Sequence, residues 1–308
     1  MKFTEIRKRF RKSLFTALSA SILATTFTPT ISAFATENEV SDEEIQGVLN
    51  FNYGENVTKE DILYALSKEI PEIDLNGAVI SEELDNYGNS KFVIETEKQE
   101  TDYFNEITLD DVERSFLLDT GVESQRIGNV LTYVLSDGTR GEMIETFDAL
   151  GRRVIQVTEG DKTNELIFDS VNNELKFDGN IVTSEENHVI VIQQDESTDE
   201  QRNTWQFLVS GNRDTRLQTA VRNATAGAVS LALSAVLPAK AVVTITIAQI
   251  IVNFYRDINS NNSLIYSTFR QYFRFPNQHR FVDRFYAQSR RHASDFITTR
   301  TVIEDWHH

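Results

Sequence analysis

None of the 308 residues is cysteine. Disulfides, thiol catalysis and lipid attachment through a cysteine are therefore excluded. Histidine is scarce: the five are His188, His279, His292, His307 and His308. No Gly-x-Ser-x-Gly, His-Glu-x-x-His or P-loop pattern occurs, so nucleophilic, zinc-peptidase and nucleotide chemistry lack their usual carriers. Asp-Gly turns are present, but none lies in an Asp-x-Asp-x-Asp-Gly loop closed by a twelfth-position glutamate. His279 and Asp283 stand four apart, a spacing metal sites use, without an evident third ligand. They read as polar residues on a wet face. No catalytic residue, metal ligand or cofactor is assigned, and an enzyme is not expected.

What is present begins with a leader. Lys2, Arg7, Lys8, Arg9, Arg11 and Lys12 form a basic start, Leu14 to Phe27 a short apolar run, and Ala33-Phe34-Ala35 a small-residue ending. Residues 1–35 read as a signal peptide, so the mature chain is expected to be exported. An exported chain without disulfides points to a bacterial product. Release to the outside is expected.

Charge divides the rest. Residues 36–200 carry 11 Lys+Arg against 40 Asp+Glu, a net of −29, and residues 201–308 carry 13 against 6, a net of +7. Such asymmetry predicts two units, an acidic one over 36–212 and a basic one over 213–308. In the acidic unit, Thr58-x-x-Asp61 opens a helix expected over 58–69, and Thr108-x-x-Asp111 opens a second. A strand is expected around 91–96. From Val130 onward, short β runs at 130–135, 142–147, 153–158, 165–168, 174–177, 188–193 and 205–209 alternate with Gly, Asp and Asn turns. They read as an antiparallel meander.

Residues 223–255 hold a single charge, Lys240, beside Pro238. Each arm of about 15 residues spans about 22 Å as a helix, short of the roughly 30 Å hydrocarbon core. A lysine at the centre of one continuous span costs on the order of 3 kcal/mol. Two short antiparallel helices turning at Leu237–Lys240 are expected instead. Ala228, Leu231, Leu233, Val236, Pro238, Lys240, Val243, Ile247, Ile251 and Phe254 are the candidate membrane-inserting residues. The competing reading is a buried core hairpin.

The tail, 264–303, interleaves aromatics with arginine. Arg270, Phe273, Arg274, Arg280, Phe281, Arg284, Phe285, Arg290 and Arg291 are the candidate membrane-surface residues, expected on basic amphipathic helices. The expected fold is thus α+β: N-terminal helices with an antiparallel β-meander, then an α-helical C-terminal region containing the hydrophobic hairpin.

In its layout, though not in any single motif, the mature chain resembles the large unmodified geobacillin-type bacteriocins of Gram-positive bacteria. The layout is a leader, an acidic β-containing part, an Ala/Val-rich hairpin (Ala224 to Tyr255) and an Arg/aromatic segment (Arg270 to Arg300). That resemblance implies a secreted antimicrobial that permeabilises membranes, with an anionic bacterial membrane as partner, self-association on it and an immunity protein. Export argues against nucleic acid. A secreted non-enzymatic binding protein is the alternative. The acidic half would shield the basic one electrostatically, which predicts salt dependence.

Overall fold

The computed structural model describes residues 31–32, 49–50, 62–64, 75–84, 90–101, 104–117, 119, 121–193, 206–237, 242–274 and 278–305. The rest of residues 1–35, the segment read as a leader, therefore lies outside the described residues. So does most of the helix expected over 58–69, of which 62–64 are described and helical.

The meander forms as its alternation requires. Strands β6 (Glu123–Ile127), β7 (Val130–Val134), β8 (Arg140–Phe147), β9 (Arg153–Glu159), β10 (Lys162–Asp169), β11 (Glu174–Phe177) and β12 (Asn180–Ile181) make one antiparallel sheet in consecutive order. Leu131, Tyr133, Met143, Ile155, Val157, Leu166 and Phe168 point to one face and are buried. Helix α1 (Leu109–Phe116) packs on that face through Leu109, Val112 and Phe116. Thr108 and Asp111 form the expected capping box: the Thr108 hydroxyl accepts from the Asp111 amide, and the Asp111 carboxylate accepts from the Thr108 amide.

The last two β runs belong elsewhere. A larger sheet has the path β1 (Ile31–Ser32), β17 (Phe296–Asp305), β16 (Gln278–Tyr286), β15 (Leu264–Arg274), β14 (Gln206–Arg216), β13 (Thr183–Gln193), β4 (Ser90–Glu95), β3 (Val79–Leu84). β2 (Leu49–Asn50) and β5 (Gln99–Thr101) also pair with β13. The charge changes sign between β13 and β14, and β14 runs through position 212, the expected boundary between the two units, so this sheet draws strands from both halves. Ile31 and Ser32, inside the segment read as a leader, pair with Glu304 and Ile303.

The α-helical C-terminal region is a misreading that the structure corrects. Helix α2 (Ala226–Val236) and helix α3 (Ile245–Asp257) are there, but residues 264–274, 278–286 and 296–305 are strands, and the protein is mostly β. The cause is a shared spacing. Positions i and i+4 meet on a helix face, but they also share a strand face because the strand period is two. Phe281 and Phe285 thus lie on one side of β16 and Arg280 and Arg284 on the other.

The helical hairpin occupies the space between the sheets. α2 packs on β9, β10 and β11, while α3 lies against α2 and β17. All eleven residues of α2 are buried. Its small residues let α3's approach segment close in and bond: Ser230 donates to the Val243 carbonyl, and Ser234 accepts from the Val243 amide at 2.6 Å. Thr225 and Thr244 cap the two helices.

Candidate interaction surface

The hairpin is the molecule's central core. Ala228, Leu231, Leu233, Val236, Val243 and Ile251 are buried, and Ile247 and Phe254 are partly exposed. Pro238 and Lys240 lie outside the described residues. At 11 and 13 residues, α2 and α3 are short, and among the described residues no helix is long and apolar enough to cross a membrane.

Polar groups fasten both ends of α2. At its start, the buried Glu159 carboxylate accepts from the Ala226 and Gly227 amides, both at 2.8 Å, and from the Tyr133 hydroxyl at 2.7 Å. A carboxylate on helix N-terminal amides satisfies orphan donors and meets the positive end of the helix dipole. Burial, with Glu159 beside it, pushes the Tyr133 phenol well above its ordinary range. At its end, Asn105 Nδ2 donates to the Leu237 carbonyl at 3.1 Å, and Arg213 donates to the Val236 carbonyl and to Glu186.

Arg213 belongs to a charged layer on the inner face of the large sheet. Asp283 sits opposite Arg300 in the register, with Arg300 Nη1 donating to it at 3.2 Å, both fully enclosed. Burial raises the Asp283 carboxyl and the two arginines oppose that shift. His279 is also buried, its imidazole driven down to about 4 by desolvation and stacked on Phe281. The wet-face reading of His279 and Asp283 is therefore reversed. They share a strand face, and that face is the interior.

The arginines of the tail divide between faces. Phe285 joins the core and Phe281 lies on the inner face, whereas Arg270, Arg280 and Arg284 stand, partly exposed, on the outer one. Three cross-strand rows carry them: Val189-Ser210-Arg270-Val282-Thr301, Asn187-Asn212-Thr268-Arg284-Thr299, and Tyr272-Arg280-Ile303. The Arg280 guanidinium lies 4.3 Å from the Tyr272 ring centre. The next row holds Tyr266, Tyr286 and Asp214, and Lys98 and Arg291 occupy that carboxylate. Arg290 is exposed and binds Asp295. The side chains of Phe273 and Arg274 lie outside the described residues.

One cavity, of about 210 Å³, opens between the β9–β10 turn and α3, with Asp137, Asp161, Lys162, Asn253 and Arg256 on its wall. Its cations are engaged by backbone: Lys162 Nζ and Arg256 Nε both donate to the Arg222 carbonyl, at 2.8 and 3.2 Å. Burial, aided by Arg256, lowers the Lys162 ammonium. Among the described residues no cluster of three His, Asp or Glu could hold a metal.

Comparison with protein families, with characterised proteins and with solved structures finds no match. The geometry of the chain alone therefore carries the reading of its function.

Proposed function

We propose that this is an exported, non-enzymatic bacterial protein that binds an anionic membrane surface through the outer face of its large sheet, with the hairpin as structural core. The observation that carries the reading is the strand register that brings Arg270, Arg280 and Arg284, all partly exposed, together on one face of the large sheet. Arginine offers paired donors to phosphate oxygens. The charge of the preceding half, net −29, keeps other faces from such a surface.

Vesicle flotation tests this. Vesicles rich in phosphatidylglycerol should carry the mature chain upward at low salt, and the share of binding that the arginines supply should fall as salt rises. R270Q/R280Q/R284Q should sharply weaken flotation, and the melting temperature measured beside it separates loss of the contact from loss of the fold. Absence of binding to anionic vesicles would refute the proposal. Dye release from the same vesicles separates it from the bacteriocin-like reading, in which α2 and α3 leave the core and permeabilise the target. A surface-binding protein leaves the dye inside.

A further inference from the structure

The small sheet carries a second surface at one end. In an antiparallel meander, alternate turns fall at the same end. The β6–β7, β8–β9 and β10–β11 connections, residues 128–129, 148–152 and 170–173, therefore stand side by side. With strands about 4.8 Å apart, these tips repeat at about 10 Å along a line. Each presents large apolar side chains to solvent: Ile127 at 72 % exposure, Phe147 at 63 %, Leu150 at 76 % and Val171 at 88 %. One exposed apolar residue is ordinary, but four on three adjoining tips form a pattern.

The tips are fixed in shape. Asp148 Oδ1 accepts from the Leu150 and Arg152 amides, both at 2.9 Å, and Asp169 Oδ1 accepts from the Asn172 amide at 3.1 Å. Arg126 Nε donates to the Gly128 carbonyl at 3.0 Å, and Asn129 Nδ2 to the Glu145 carbonyl at 2.9 Å. Side chains held out this way lose little freedom on burial.

The charges at this end are matched. Arg126 is bound by Asp110 and Glu113, Arg152 by Asp148 and Asp169, and Arg153 by Glu106 and Glu145. The end therefore offers no unmatched arginine to an anionic headgroup, and the acidic half around it repels one. Its exposed apolar side chains stand on separate tips, divided along the chain by Asp, Asn and Arg. A protein interface needs a continuous apolar centre, which this end lacks. A bilayer interface accepts separate apolar side chains to a depth of about 5–10 Å.

We infer that these three tips form a membrane-anchoring edge that dips Ile127, Phe147, Leu150 and Val171 into a bilayer of zwitterionic, net-uncharged lipid, independently of the arginine face on the large sheet.

Flotation of the mature chain with pure phosphatidylcholine vesicles tests it. Binding is expected, unchanged between low and high salt. F147S/L150S should weaken partitioning by about tenfold or more, and I127S/V171S by a smaller factor. R270Q/R280Q/R284Q should leave it unchanged. The substituted side chains are exposed, so both serine variants should melt with the parent protein. If either one melts early, the other serves as the test. No binding of the parent to phosphatidylcholine overturns the inference, and so does binding that the serine variants retain. A result confined to anionic vesicles and abolished by the arginine variant would support the sheet-face proposal and overturn this one.

Discussion

A single glycine shows how closely α2 is fitted to the small sheet. A Cβ on Gly227 would lie 2.5 Å from the Tyr133 hydroxyl oxygen, 2.6 Å from Met143 Cε and 2.8 Å from Val157 Cγ1. Alanine normally gains about 1 kcal/mol over glycine inside a helix. Overpacking a close-fitted core costs about 1–3 kcal/mol. At this position the second effect wins, because the displaced hydroxyl is also bound to Glu159, which holds the Gly227 amide. Gly227→Ala should therefore destabilise the protein by roughly 1–2 kcal/mol in urea denaturation. A gain in stability would show that α2 can shift on the sheet. The glycine itself is visible in the sequence. Its partner Tyr133 is 94 positions away, and no local pattern connects the two.

At the scale of elements, legibility followed locality. The capping box at Thr108 and the turns of the meander are settled by residues a few positions apart, and both were read correctly. The tail was not, since its i, i+4 pairs fit either period and the pairing that decides between them is with distant strands. β15 finds its partner in β14 across the hairpin, with Arg216 opposite Leu264 at one end. That pairing buries the inner-face charges. His279 faces Glu304 across the register and stacks on Phe281, its imidazole near 4 against an ordinary 6.5. As pH falls below 6.5 the unfolded chain takes up this proton first, and stability is lost down to about pH 4. The full shift corresponds to about 3 kcal/mol. His188, lowered mainly by burial, acts in the same sense, while the raised carboxyl of Asp283 acts in the opposite one. Denaturation midpoints measured at pH 7 and pH 4.5 should fall with acid. H279Q should flatten that dependence by the part His279 contributes, and an unchanged slope would place the acid sensitivity elsewhere.

For the whole molecule, cover for the hairpin is the main physical requirement. The sequence alone suggests electrostatic shielding of a basic half by an acidic half, and such shielding should yield to salt. The folded chain relies on other forces. α2 rests on β9, β10 and β11 from the acidic half, and its buried neighbours there include Ile155, Leu166 and Phe177. β13 and β14, from opposite sides of the charge boundary, pair from Thr183 with Arg216 to Val189 with Ser210. Apolar burial and ladder hydrogen bonds of this kind are largely insensitive to ionic strength. A specific protease site placed within residues 194–205, which join β13 to β14, separates the halves covalently. After cleavage the two pieces should still elute together at the size of the intact chain, and high salt should not release them. Denaturant should release both in one transition, because each piece keeps only part of the large sheet and the carboxyl-terminal piece also loses the floor of its hairpin. Separate elution at high salt would restore the electrostatic account. Co-elution that only denaturant breaks would make the two charge classes parts of one folding unit, with the uncharged hairpin as the element they jointly enclose.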